Sequence, residues 1–159
     1  MESCGTSMSR SHGGMVETGH FSEIGTLDRV PKNKGQTVAI IEDEKGIVEV
    51  YGHICRMMGL TISFVAYDGA EGLEAFRKST CPDVILIDHR MPGMMGIEAM
   101  GRMLDINPDA SFIMLSADEE IKNDALDAGA KAFLKKPATI AEPTILRKSR
   151  QQLVAENQN

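Results

Sequence analysis

Two hydrophobic periods alternate along the chain. Val84-Ile85-Leu86-Ile87 is an apolar run without polar alternation, the pattern of a strand buried on both faces of a parallel sheet. Similar short runs at 37–41, 60–66, 111–115 and 132–134 predict four more strands. Between them Ile47, Tyr51, Ile54 and Met58 recur at helical spacing, with Cys55 at a packing position on the same face. Leu73 with Phe76, and Ile97 with Met100 and Leu104, mark two further helices. Gly59 stands where a left-handed cap ends the first helix, Asp68 and Glu71 make a capping-box-like start to the second, and Asn107-Pro108 stops the third. Asp118 caps a fourth helix with an acidic first turn, Glu119 and Glu120, that runs to Gly129. An amphipathic stretch at 145–153 predicts a fifth helix with Pro143 in its first turn. Strands alternating with helices at short connections imply right-handed crossovers. The expected fold is therefore α/β: a doubly wound, flavodoxin-like five-stranded parallel sheet with helices on both faces.

Composition changes this picture little at the centre and more at the ends. Residues 1–34 are rich in Gly, Ser, Thr and His without a period that would bury a face, so they read as a disordered extension. Residues 35–155 form the folded domain, and 156–159 a disordered end. Cys4, His12 and His20 match no metal-binding spacing and belong to a solvated tail. A net charge of −6 disfavours a broad grip on nucleic acid or an anionic membrane. Too few residues follow Pro137 for a helix-turn-helix module, so no direct DNA binding is expected. Cys4, Cys55 and Cys81 form no CxxC pair, and no apolar run approaches the ~20 residues of a membrane span. Reduced thiols and a cytoplasmic location with protein partners are the expectation.

Candidate chemistry gathers at the strand ends. In open α/β sheets ligands collect at the carboxyl edge of the strands. Glu42 and Asp43 follow the first strand, Asp88 ends the central one, and Ser116 and Lys136 follow the last two. Three carboxylates packed together repel one another unless a cation joins them, and such oxygen ligands suit Mg²⁺. A hydroxyl and an ammonium facing that cation can bind a transferring phosphoryl group, with Asp88 as the nucleophile that takes it.

The acidic pair Glu42-Asp43, the pattern Asp88-x-x-Met91-Pro92-x-x-x-Gly96, Ser116-Ala117 and Lys136-Pro137 together resemble the receiver domain of two-component response regulators. The resemblance covers residues 37–155. It implies a stand-alone, chemotaxis-regulator-like phosphoprotein whose Asp88 is phosphorylated, with Mg²⁺, by a sensor histidine kinase or phosphotransfer protein. Asp43, Asp88 and the main-chain carbonyl of Arg90 would hold the metal, with Glu42 acting through water. Ser116 and Lys136 would hold the phosphoryl oxygens, and Ser116 and Phe133 would form the conformational switch. The Lys136-Pro137 bond would be cis. Such a protein is not an enzyme beyond catalysing its own phosphorylation and dephosphorylation. It signals by contact with a downstream protein target or, once phosphorylated, with a second copy of itself. Arg90 and Asp118 occupy two positions that vary among receivers. At the mouth of the site they can pair and obstruct the water that hydrolyses the acyl phosphate, which makes them candidate gating residues.

Two departures stand out: Glu42 occupies a place where the family often has Asp, and the residues after Pro137 lack the family's common Phe. Three other readings remain. A Mg²⁺-dependent, dehalogenase-like phosphatase also uses a strand-end Asp, but wants a second acid where Arg90 stands. A flavodoxin-like cofactor binder needs a phosphate loop where this chain has acid. A receiver-like interaction module that is never phosphorylated would have no use for the complete site. His89 alternates to the side opposite Asp88 and is not expected to act as its base. Phe133 suits either the core or the switch, and Arg147, Lys148 and Arg150 read as a solvated helix face.

Overall fold

A computed structural model describes residues 35–137 of the chain. The extension at 1–34, the helix expected at 145–153 with Pro143, Arg147, Lys148 and Arg150, and the end at 156–159 lie outside the described residues. Within them run β1 (Thr37–Ile41), α1 (Lys45–Met57), β2 (Thr61–Ala66), α2 (Gly69–Lys78), β3 (Val84–Asp88), α3 (Gly96–Ile106), β4 (Phe112–Ser116), α4 (Lys122–Asp127) and β5 (Ala132–Lys135). The five strands form one parallel sheet in the order β2-β1-β3-β4-β5. This is the doubly wound α/β arrangement that the alternating pattern predicts.

The central strands are buried on both faces because each face meets helices. On one side Ile41, Ile85, Ile87 and Met114 pack with Leu73 and Phe76 of α2, Ala99, Met100 and Met103 of α3 and Ala125 of α4. On the other, Val38, Ile40, Leu86, Ile113 and Leu115 pack with Val48, Tyr51 and Cys55 of α1. Burial at the Cys55 position pushes its thiol pKa up to about 11, in keeping with a packing role.

Local signals end the elements. Gly59 adopts φ 78° and closes α1, its N–H and that of Leu60 bonding back to Arg56 and Cys55. The Asp68 carboxylate accepts the Glu71 N–H at 2.7 Å, as the capping-box pattern predicts. Its return arm differs: the Glu71 carboxylate accepts the N–H of Tyr67, one residue before the cap, because that donor also points free of the helix.

The fourth helix departs from expectation. Asp118 accepts the N–H of Glu120 at 3.0 Å, and residues Glu119–Ile121 form a 3₁₀ turn before α4 begins at Lys122. A cap that reaches only two residues ahead favours a tight first turn, so the helix expected to start at Asp118 is a 3₁₀ turn plus a short α-helix.

At the amino edge of the sheet the Thr37 N–H and hydroxyl both donate to Asp83, at 2.7 and 3.0 Å, and the Asp83 N–H donates to the Thr37 hydroxyl at 3.1 Å. On the outer edge, Val38 faces Ile62 and Ala39 faces Phe64, leaving Ser63 of β2 without an opposite residue. No helix among the described residues is long and apolar enough to cross a membrane.

Candidate functional site

The carboxyl ends of β1, β3, β4 and β5 meet at one edge of the sheet. Glu42 and Asp43 follow β1, whose pairing with β3 brings them beside Asp88, and Ser116 closes β4 next to it. Glu42 is fully buried, Asp88 is 3% exposed and Ser116 is 1% exposed. Ligand oxygens of Glu42, Asp43 and Asp88 lie within 4.8 Å of one another.

Lys136 enters from the end of β5. Its main-chain N–H donates to the Ser116 carbonyl at 2.8 Å, and its ammonium donates to Glu42 Oε2 at 2.6 Å and Asp88 Oδ1 at 2.8 Å. The Lys136-Pro137 bond is cis.

Burial is the largest influence on both buried acids and raises their pKa values, with the Lys136 hydrogen bond opposing it in each. A neighbouring carboxylate adds to the rise, Asp88 for Glu42 and Asp43 for Asp88. Burial alone would lower the pKa of Lys136, but its hydrogen bonds to Asp88 and Glu42 prevail and raise it. The set is short of positive charge. Among the described residues Lys136 is the one cation bonded to it, and it serves two carboxylates at once. Clustered, partly desolvated oxygen donors with this deficit fit a hard divalent cation such as Mg²⁺.

Other predicted residues surround this centre. Ser116 Oγ accepts the Asp118 N–H at 3.1 Å. The Arg90 guanidinium, 69% exposed, donates to the Asp118 carboxylate at 2.9 Å, and that hydrogen bond leads the causes that lower the Asp118 pKa. Phe133 lies half-buried against the cluster under α2, α3 and α4. The His89 ring is buried with Nδ1 unpartnered, and burial leads the lowering of its pKa. It stands one residue beyond the end of β3, within electrostatic reach of Asp88, Arg90 and Asp118.

Two supports show their roles only in the fold. Gly96 follows the acceptor loop so closely that a Cβ there would overlap the Asp88 carbonyl oxygen, and its N–H donates to the His89 carbonyl at 2.8 Å. Tyr51, read as one position of an apolar face, lines the same cleft as Lys136. The signal was there: a phenol carries a polar tip that the Ile and Met sharing its face do not.

Comparison with known proteins places this geometry. The model of the response regulator receiver domain matches residues 38–146. A protein-glutamate methylesterase/protein-glutamine glutaminase of Natronomonas pharaonis is 36% identical over 109 residues, covering 67% of this chain and 30% of that protein. The chain thus spans less than a third of that relative. The chemotaxis protein CheY of Thermotoga maritima is 32% identical over 105 residues, 65% of this chain and 87% of that one. Among solved structures, the receiver domain of a Pseudomonas aeruginosa sensor histidine kinase, described with a magnesium ion coordinated in its active-site cleft, superposes with a TM-score of 0.66 at 26% identity, covering 74% of this chain and 98% of that one. With its sheet order, its strand-end acids and a family match over most of its length, the chain belongs to the response regulator receiver domain family.

Proposed function

We propose that this receiver accepts a phosphoryl group on Asp88 from a phosphohistidine of a sensor kinase or phosphotransfer protein. The observation that carries the reading is the buried cluster of Glu42, Asp43 and Asp88 with Lys136 bridging two of its members. An Asp88 oxygen attacks phosphorus, the P–N bond to the donor imidazole breaks with its electron pair going to nitrogen, and an acyl phosphate forms. Asp43, Asp88 and the Arg90 carbonyl would hold Mg²⁺, with Glu42 acting through water; when bound, the ion supplies charge neutralisation for the phosphoryl oxygens. The magnesium ion described for the Pseudomonas receiver supports this assignment.

Lys136 leaves its carboxylates to meet a phosphoryl oxygen, and the Ser116 hydroxyl meets another. Movement of Ser116 pulls the Asp118 segment bonded to it, and Phe133 repacks behind it. The new surface is read by a downstream protein or by a second copy of the chain. The test is intact mass after treatment with a small acyl phosphate. One added phosphoryl group is expected, lost in Asp88→Asn and in excess chelator; labelling that persists in either case would defeat the assignment.

A further inference from the structure

Tyr51 is 4% exposed, and it joins Glu44, Ile47, Ala117, Pro137 and Lys136 in lining an open cleft of about 600 Å³. The cleft lies between α1 and the segments that follow β4 and β5. Its walls are mostly apolar. The other buried side chains that α1 turns towards the sheet, Val48 and Cys55, have no comparable polar tip. The phenol adds a polar tip to a packing position, and such tips usually find a hydrogen-bond partner.

Lys136 is the group in that cleft with a changing need for partners. An ammonium has three donors, and here two are committed, to Glu42 at 2.6 Å and Asp88 at 2.8 Å. Phosphorylation turns one Asp88 oxygen into a bridging atom and adds oxygens further from the strand, so the ammonium must shift and rebond. The polar side chains that line the mostly apolar cleft beside Lys136 are Tyr51 and Glu44.

We propose that Tyr51 is a positioning residue for Lys136, its hydroxyl accepting a hydrogen bond from the ammonium as the lysine moves from the carboxylates to a phosphoryl oxygen. The inference rests on the reading of Asp88 as phosphoacceptor. The phenol is suited to the task because it supplies an acceptor without adding a further full charge to an acid-rich site. Burial leads the causes that raise its pKa, with Lys136, Glu42 and Asp88 all within electrostatic reach, so its proton stays in place.

The chain provides its own probe, because it contains no Trp and two Tyr, the other being Tyr67 at 40% exposure. In a Tyr67→Phe chain all tyrosine emission comes from Tyr51. Titration with Mg²⁺ and beryllofluoride, a phosphoryl mimic, should change that emission with the same midpoint as binding measured by calorimetry. In the unsubstituted chain, Tyr51→Phe removes one oxygen and keeps the ring. It should weaken binding of the mimic about tenfold while leaving the thermal midpoint nearly unchanged. Binding with flat Tyr51 emission, or with full affinity in Tyr51→Phe, overturns this inference alone. No binding in the unsubstituted chain overturns the acceptor reading and this inference with it.

Discussion

Asp83 and Asp88 stand at opposite ends of the same strand and have opposite fates. Asp83 closes a reciprocal clasp with Thr37, in which one carboxylate oxygen takes two donors and the Asp83 N–H is returned to the threonine hydroxyl. Asp88 shares one ammonium with Glu42, beside Asp43, in a group whose charges do not balance. The clasp is satisfied within the chain and asks for nothing from solution. At the carboxyl edge the one ammonium of Lys136 stands, among the described residues, against three carboxylates. Side-chain type does not separate a structural aspartate from a chemical one; the number of partners that the fold supplies does.

Lys136→Met should widen this contrast most, because it leaves Glu42 and Asp88 buried without their shared cation. A loss of about 3–4 kcal/mol is expected at neutral pH with chelator present, largely recovered in millimolar Mg²⁺. Denaturant melts with and without the metal measure it, and a loss that Mg²⁺ fails to recover would contradict the charge deficit. Gly96→Ala comes next, since its Cβ would meet backbone at Asp88 rather than a yielding side chain. A destabilisation of about 2–3 kcal/mol, insensitive to Mg²⁺, should appear in the same melts.

Asp83→Ala opens the satisfied end and should cost about 1–2 kcal/mol, equally with and without Mg²⁺. A metal-dependent loss here would erase the distinction between the two ends. The smallest effect on stability belongs to the exposed pair at the mouth. Arg90→Ala should leave melts unchanged, Asp118→Ala should lower them slightly through its lost cap on Glu120, and each should speed loss of the phosphoryl group by up to about tenfold. The double variant should be less than additive, because both singles break the same 2.9 Å contact. Single-turnover decay with Mg²⁺ present is the measurement, and additive rates would mean that the pair is no gate.

The sequence made the strands legible because burial on both faces leaves no room for polar alternation in Val84–Asp88 until the aspartate itself. It also placed Glu42, Asp43, Asp88 and Lys136 at strand ends, since each ends an apolar run or follows one within two residues. How these groups divide their hydrogen bonds was not legible. That Lys136 reaches both Glu42 and Asp88 depends on the order of strands in space, which joins residues 94 positions apart. The 3₁₀ turn after β4 was missed because Asp118 can cap at either two or three residues ahead, and only backbone geometry decides between them. The Thr37–Asp83 clasp escaped for the same reason: its partners are 46 residues apart and neither belongs to a motif.

The unpaired Ser63 bears on assembly. A regular outer strand is a template on which another chain can add its own backbone, and from there a fibril can grow. The irregular register between β1 and β2 bends that template on one side of the sheet, and on the other β5 is only four residues long and ends in Lys135. Both margins therefore discourage the addition of a further strand to the sheet.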